Sequence, residues 1–316
     1  MNSTDGHNAV RCRSFDVVGL GYTATDYLAI VPRLPELDTK LEARCLSIQG
    51  GGPAATALVT AARLGLTAAY IGKVGDDDFG RFMLEELGKE KVDVSAVVCE
   101  EGSTSQFAFV MVDENTGHRT IVWTRGSVSK LRRGEADLSA VEASRCLILD
   151  DLEVEAAVEA VERARRAGVP AVLDAGSLRA GMDKLIPLCD FVVGTREFAF
   201  RFTGERDPAE AARKIFEGTG NVAVVTLGDE GSVCVGGDGV LLQPAFGVQT
   251  VDTTGAGDVF HGAFAVGVVK GWAIPRVLEF SSAVAAMKCT RLGGRPGIPD
   301  FEGAISFLRD RSPNAW

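Results

Sequence analysis

Residues 251–264 read VDTTGAGDVFHGAF, and this stretch decides both the fold and the chemistry that the sequence predicts. Small residues open a long apolar helix, with Asp258 inside its first turn. Unpaired backbone N–H groups at a helix start point outward and carry a partial positive charge. Because Gly255, Ala256 and Gly257 present almost no side chain, an anion can approach these N–H groups closely.

The same stretch contains what phosphoryl transfer from ATP requires. That reaction needs in-line positioning, neutralisation of charge at the γ-phosphate and a base beside the attacking hydroxyl. We assign the anion hole to residues 255–257 and the base to Asp258. The alternative is that Asp252 or Asp258 only caps a helix, as acidic residues near helix starts commonly do. Two glycines around an alanine, preceded by two threonines, favour the catalytic interpretation.

Upstream of this stretch, short apolar runs alternate with longer amphipathic segments. Residues 146–149 and 222–227 are apolar in nearly every position, as strands buried on both faces are. Residues 53–64 and 153–167 have the apolar spacing of helices. This alternation predicts an α/β fold in which a mostly parallel sheet is covered by helices on both faces.

Two segments interrupt the alternation. Residues 22–48 contain two prolines before an alternating stretch, and residues 104–125 indicate two strands joined by a turn at 114–117. Since neither segment adjoins a helix, we predict one small antiparallel β-sheet that projects from the core as a lid. The alternative is that both segments form edge strands of the main sheet. Lid and core together make up a predicted domain of residues 14–312.

Composition and charge restrict the class of protein. The chain has 316 residues with a net charge of −10, which argues against a general nucleic-acid surface. No apolar stretch approaches the roughly 20 residues of a membrane span. The polar residues 1–13, predicted to be a disordered tail, lack the apolar core of a signal peptide. Seven scattered cysteines without a CxxC pair predict reduced thiols and a cytoplasmic protein.

Four motifs, in the expected order, resemble those of the ribokinase-like (PfkB) carbohydrate kinases. They are QGGGPAA at 49–55 with ARLG at 62–65, GKVGDDDFG at 72–80, VTLG at 225–228 with Gly231, and DTTGAGD at 252–258. The details look most like a branch that includes ketose and sulfofructose kinases. The resemblance implies an ATP-dependent carbohydrate kinase with a Rossmann-like sheet and a β-lid, and such lids often pair into homodimers.

The resemblance also implies roles for individual residues, with ATP, Mg²⁺ and K⁺ as cofactors. Asp258 would be the base, beside the anion hole of Gly255, Ala256 and Gly257. The other implied sites are Asp26, Gly51, Gly52 and Thr56 for the acceptor, Thr226, Gly228, Gly231 and Glu197 for ATP, and Asp252, Thr254, Cys289 and Gly294 for a monovalent cation, usually potassium. Glu197 would act by organising water around Mg²⁺.

Three positions depart from the family pattern. Thr56 stands where many members have asparagine beside the sugar, and Gly194 replaces the asparagine of the NxxE motif that ends at Glu197. The usual aspartate-proline-asparagine turn has become DAGS at residues 174–177. These changes affect positions on both the acceptor side and the Mg²⁺ side of the predicted site.

The acceptor is the least determined part of the prediction. A sulfonate or phosphate on the acceptor would require a cation from the lid side, for which Lys40, Arg119 and Arg125 are the candidates. Because Trp123 and Leu152 occupy stretches where polar groups would be expected, we predict a neutral sugar of ketose or pentose type. A nucleoside remains an alternative acceptor, since nucleoside kinases of the family share the same catalytic half.

Two other classes of protein compete with a kinase. A dinucleotide-binding oxidoreductase is suggested by GLGYTA at 19–24, but that fingerprint requires a helix to begin there, and a β-like segment follows instead. A non-catalytic sugar or nucleotide sensor on the same scaffold is the second competitor. The intact Asp258 and its glycines argue against a sensor, because a protein that only binds ligands needs no base.

Overall fold

The computed structural model describes residues 14–312 and Trp316, so the predicted disordered tail at residues 1–13 lies outside the described residues. The strands are β1 Phe15–Leu20, β2 Ala24–Val31, β3 Cys45–Gly51, β4 Ala68–Ile71, β5 Lys73–Gly75, β6 Val92–Asp93, β7 Val98–Glu100, β8 Phe107–Asp113, β9 Arg119–Thr124, β10 Ser144–Leu149, β11 Ala171–Ala175, β12 Phe191–Thr195, β13 Val222–Thr226, β14 Ser232–Gly236 and β15 Gly239–Gln243. The helices are α1 Pro53–Arg63, α2 Asp78–Lys89, α3 Ser139–Glu142, α4 Val154–Ala167, α5 Met182–Leu185, α6 Arg196–Thr203, α7 Pro208–Thr219, α8 Ala256–Val269, α9 Ile274–Lys288 and α10 Phe301–Arg311.

The main sheet has nine strands in the order β15-β14-β13-β12-β11-β10-β1-β4-β6. Strands β13 through β6 in this order are parallel, and β14 and β15 add an antiparallel edge. The predicted α/β fold with a mostly parallel sheet is therefore confirmed. No helix in the described ranges is both long and apolar enough to cross a membrane.

Helices cover both faces of this sheet, because its strands are apolar in almost every position. Val17 and Cys146 contribute to a core that includes Phe264 of α8, whereas the adjacent Val18 and Leu147 contribute to the opposite core. Successive side chains of a strand point to opposite faces, so each strand supplies both cores. Complete burial of one such side chain contributes about 1.5–3 kcal/mol.

A second sheet, which we call the small sheet, has four strands in the order β3-β2-β8-β9. Strands β3 and β2 are antiparallel, as are β8 and β9, but β2 and β8 are parallel. The predicted purely antiparallel arrangement is therefore wrong at the centre of the sheet. Parallel neighbours need a long crossover connection. Here the chain supplies one, because α1 and α2 lie between β2 and β8.

The small sheet rises from the edge of the main sheet at which β1 ends, since β2 begins four residues after the end of β1. Its inner face carries Leu28 and Val110, which are buried and pack with Leu292. Its outer face carries Leu46 and Val122, which are exposed. The small sheet thus has one face toward the core and one toward solvent.

Candidate active site

The candidate site lies at the edge where the parallel strands end. Open α/β sheets bind ligands outside the carboxyl ends of their strands. Asp150 follows β10, Asp174 lies near the end of β11, and Glu197 is in the helix after β12. The start of α8 reaches the same edge, because the His261 Nδ1 atom is 3.2 Å from the Asp174 carboxylate.

The start of α8 is free of obstructing side chains. Gly255 is the N-terminal cap residue with φ of 72°, a left-handed conformation that favours glycine. None of the described side chains caps this helix start. A Cβ atom added at Gly257 would find no atom within 4 Å, whereas one at Gly255 would be 3.0 Å from the Gly294 Cα atom. The first-turn N–H groups therefore face open space, as an anion hole requires.

Asp258 is half-buried in this first turn. Burial raises the pKa of Asp258, and the positive charges of His261, Arg119 and Lys288 partly oppose that rise. A general base works best when its pKa lies near the operating pH, so an aspartate with a raised pKa suits proton abstraction from a hydroxyl.

His261, one turn after Asp258, fixes the helix start against the sheet. Its Nδ1 atom is 2.6 Å from the Gly257 carbonyl oxygen, and its Nε2 atom is 3.0 Å from the Val193 carbonyl oxygen. The nearby Asp174 carboxyl is buried, and burial together with the charge of Asp258 raises its pKa well above the usual range. The sequence indicates a histidine on the apolar helix, but it does not indicate these partners.

The acceptor side of the site is built around Asp26 on the inner face of the small sheet. Burial raises the pKa of Asp26 to about 7, with Arg295 opposing and the charge of Asp258 adding to the shift. Asp258 is therefore near enough for its charge to influence the pKa of Asp26. The structure thus brings together two residues that are far apart in sequence.

Two glycines allow this close approach. A Cβ atom on Gly51 would lie 1.9 Å from the Asp26 Oδ2 atom, so only glycine leaves space for that carboxylate. Gly52 has φ of 88°, and a Cβ atom there would lie 2.5 Å from the Tyr22 carbonyl oxygen. Both predicted acceptor glycines are therefore required by the local backbone, whatever ligand binds.

Thr56 is 1% exposed, and its hydroxyl accepts a 3.4 Å hydrogen bond from Arg295 Nε. Arg295 also donates from Nη2 to the Gly51 carbonyl oxygen at 3.1 Å. Its buried Nη1 has no acceptor among the residues that the structure describes. Burial lowers the pKa of Arg295 to about 10. Direct contact of Thr56 with the acceptor stays a prediction, and Arg295 is a neighbour that sequence analysis missed.

Three predicted ATP residues lie at the end of β13 and in the turn that follows it. Thr226 of β13 is paired with Thr195 of β12. In the turn that follows, Gly228 has φ of 68°, and a Cβ atom on Gly231 would be 2.0 Å from the Gln243 carbonyl oxygen. These glycines are needed for the turn itself. Their contact with ATP stays a prediction.

Glu197 is exposed in the first turn of α6 and pairs with Arg201 at 2.5 Å. The adjacent Arg196 pairs with Glu230 at 2.5 Å and so joins α6 to the turn after β13. In the described part of the chain, no cluster of three or more histidine, cysteine or acidic residues could hold a metal ion. The role of Glu197 in organising water around Mg²⁺ stays a prediction.

The predicted potassium ligands are largely used by the protein itself. Asp252 is fully buried, and its carboxylate accepts from Thr254 N at 2.8 Å, Thr254 Oγ1 at 2.7 Å and Gly293 N at 2.7 Å. The Cys289 carbonyl oxygen accepts from the N–H groups of residues 251 and 252. The Asp252 carbonyl oxygen accepts from Lys288 Nζ at 2.7 Å. At Asp252 this arrangement does not fit a potassium ion, because the Lys288 ammonium group already lies on the carbonyl oxygen of that residue.

The small sheet touches the turn that precedes α8. Arg119 Nη1 of β9 donates to Thr253 Oγ1 at 2.8 Å. On the same inner face, Trp123 is about half exposed and lies edge-on to Tyr22, with ring centroids 5.8 Å apart. Asp26, Ala108 and Trp123 are register partners on adjacent strands and therefore share this face.

Sheet topology and site geometry together define the ribokinase-like class of α/β proteins. The description "pfkB family carbohydrate kinase" matches residues 14–300, and the chain belongs to this family. It is therefore a carbohydrate kinase by family, in agreement with the resemblance of its motifs. The narrower resemblance to ketose and sulfofructose kinases stays a prediction.

Three relatives illustrate the similarity. Ribokinase of Haemophilus influenzae is 28% identical over 300 residues, which cover 92% of this chain and 97% of that protein. 5-Dehydro-2-deoxygluconokinase of Geobacillus kaustophilus is 30% identical over 283 residues, with 82% and 84% covered. The crystal structure of ribokinase from Thermotoga maritima has a TM-score of 0.82 at 26% identity, covering 93% of this chain and 99% of that one.

Proposed function

We propose that this kinase transfers the γ-phosphoryl group of ATP to a hydroxyl of a small neutral sugar, of ketose or pentose type. The observation that carries the proposal is Asp258 in the first turn of an open helix start, close to Asp26. Asp26 holds acceptor hydroxyls, and Asp258 takes the proton of the attacking hydroxyl. The acceptor oxygen bonds to the γ-phosphorus, the bond to the β–γ bridging oxygen breaks, and ADP leaves.

The backbone N–H groups of residues 255–257 stabilise the charge of the transferring group. MgATP is the nucleotide substrate and lies along Thr226, Gly228 and Gly231, with Glu197 reaching Mg²⁺ through water. Magnesium supplies charge neutralisation at the phosphates when it is bound. No step requires potassium, since protein donors already occupy Asp252 and the Cys289 carbonyl oxygen.

The lid side of the site supports a neutral acceptor, because Arg119 and Arg125 already have partners. Arg125 pairs with the buried Glu153 at 2.5 Å, and Arg119 donates to Thr253. Lys40 is exposed. An acid-bearing acceptor that used Arg119 or Arg125 would have to take that cation from its partner. The name of the ribokinase relative points to a small neutral sugar, whereas the 5-dehydro-2-deoxygluconokinase relative is named after a sugar acid.

We also propose that the small sheet acts as a lid over the acceptor and that two copies pair through its outer face. The exposed side chains Leu46, Ile48 and Val122 support such pairing, because water-exposed apolar groups gain free energy when covered. Sedimentation of the purified protein tests the dimer. A monomer at all concentrations contradicts it.

An acceptor panel tests the proposed function directly. ADP release is measured with ribose, deoxyribose, fructose, other ketoses and nucleosides, and NMR locates the phosphate on the product. We expect the highest kcat/KM for a neutral sugar. Faster turnover of a nucleoside would assign the protein to the nucleoside kinases, and tight binding without any turnover would identify a sensor.

A further inference from the structure

Lys288, the last residue of α9, is a buried cation that the reaction described above does not use. Its side chain is 0% exposed, and its Nζ atom donates to the Asp252 carbonyl oxygen at 2.7 Å. Among the described residues it forms no ion pair with a carboxylate. A buried charge normally requires a partner of opposite charge or strong hydrogen bonds. Lys288 is instead held by a backbone carbonyl, as a bound metal cation often is.

That carbonyl belongs to the turn that leads into the helix of the base. Asp252 immediately precedes Thr253, and α8 begins at Ala256. Burial lowers the pKa of Lys288, while the negative charges of Asp252, Cys289 and Asp258 oppose the shift. Arg119 of the small sheet is the other nearby cation. The ammonium group therefore contributes positive charge beneath the place where the phosphoryl group transfers.

Asp252 is also one of the four residues that the resemblance implies for a monovalent cation, with Thr254, Cys289 and Gly294. An ammonium group is a compact point charge with three N–H donors on a flexible stem. Two cations on one carbonyl oxygen would repel each other strongly in a buried site. Lys288 and a potassium ion therefore compete for the Asp252 carbonyl oxygen. The ammonium group of Lys288 is always present there, because it is covalently attached to the chain.

We propose that the ammonium group of Lys288 replaces the monovalent cation at the catalytic turn, so that this kinase needs no potassium. The inference rests on the proposed kinase reaction, but its tests distinguish a failure of the Lys288 proposal from a failure of the kinase proposal. Lys288 is a positioning residue: it holds residues 252–254 and supplies charge, and it does not touch the reacting atoms.

The first experiment compares turnover of the intact protein in sodium, potassium and tetramethylammonium chloride at equal ionic strength. The acceptor is the sugar turned over fastest in the panel. We expect rates within about twofold of one another, well below the roughly 5–150-fold effects typical of coupling between two binding sites. Strong activation by potassium would overturn the proposal.

The second experiment removes the cation. Lys288→Ala leaves a small space, and Lys288→Met removes the charge at similar length. We expect both variants to be slow in tetramethylammonium, and Lys288→Ala to recover about 5–150-fold on addition of potassium or methylammonium. Lys184→Ala, which removes an exposed lysine of α5, is the control and should respond to none of these salts.

Thermal unfolding supplies a readout that is independent of activity. Potassium should raise the Tm of Lys288→Ala and leave that of the unaltered protein unchanged, because ligands stabilise only when they bind the folded state. Full activity of Lys288→Met in tetramethylammonium, or a folded Lys288→Ala that no cation rescues, would refute the proposal. Absence of turnover by the unaltered protein with every acceptor would count against the kinase reaction instead, while the Tm comparison would still decide the role of Lys288.

Discussion

The core and the small sheet each bring one cation to the turn that precedes the catalytic helix, and the two contacts differ in kind. Lys288 from the core is fully buried and binds the backbone at Asp252. Arg119 from the small sheet is exposed and binds the side chain of the next residue, Thr253. Exposed contacts are screened by salt and contribute little free energy, whereas buried ones persist. The contact from the core therefore holds the turn before α8 in place. The contact from the small sheet can break, as our proposal that this sheet acts as a lid requires.

Replacement of Asp258 by Asn tests the helix start that the core holds in place, and it has the largest expected effect. Loss of the base should lower kcat by roughly 10²–10⁴-fold, because proton transfer from the hydroxyl then lacks an acceptor. Binding of ATP, measured by calorimetric titration, should be retained. Asp310→Asn, at an exposed position of α10, is the control. Near-normal turnover by the Asp258 variant would contradict the assignment.

Replacement of Gly257 by Ala separates folding from catalysis at the same helix start. The new methyl group meets no protein atom, so the free energy of unfolding should stay constant or rise by up to about 1 kcal/mol. The methyl group enters the space meant for the phosphoryl group, and kcat should fall about 10²-fold as the group is displaced.

Gly218 of α7, which also has open space around it, provides the matched control. Gly218→Ala should change stability in the same direction and leave kcat as it is. Equal kcat in Gly257→Ala and the unaltered protein would mean that the phosphoryl group does not bind at this helix start.

The pH dependence of acceptor use tests the acceptor side of the site through Asp26. Its pKa is raised to about 7, so the carboxylate is mostly protonated below that pH and ionised above it. Because the ionised form accepts hydroxyl hydrogen bonds more strongly, kcat/KM for the sugar should rise about tenfold between about pH 6 and 8. Asp26→Asn should raise KM and abolish this rise. An identical profile in the variant would assign the ionisation to another group.

Replacement of Arg119 by Met has the smallest expected effect and sharpens the contrast with Lys288. Loss of one exposed charged contact should raise KM for the sugar about fivefold and leave kcat nearly unchanged. The difference from the unaltered protein should shrink at about 0.5 M salt, where charges are screened. Lys40→Met is the control. A fall in kcat as large as that of Asp258→Asn would show that Arg119 takes part in the chemistry.

The sequence predicts those parts of the molecule that depend on local pattern. The catalytic helix, the buried parallel strands and the two segments of the small sheet all follow from apolar periodicity and turn residues. The parallel pairing of β2 and β8 does not, because it depends on how an intervening crossover returns the chain. The residue types in these two strands are the same as those of antiparallel strands, so they do not reveal the direction of pairing.

The same limit applies to the site. The resemblance of the motifs singles out Asp258 and the glycines, and these residues are close to one another in sequence. Arg295 contacts Thr56, which is 239 residues away, and no periodic pattern records that contact. Lys288 also gives a misleading signal, because basic residues are common at the C-terminal ends of helices, where they interact with the dipole. Only its burial in the folded protein distinguishes it from an ordinary capping residue.

The close approach of Gly51 to Asp26 limits how acceptor preference can evolve. No side chain is tolerated at position 51 while the carboxylate stays in place, so this wall of the site is invariant by geometry. The opposite wall has no such restriction, since Ala108 is small and Trp123 is half exposed. We therefore expect substitutions at these two positions to change the preferred sugar more easily than substitutions at position 51.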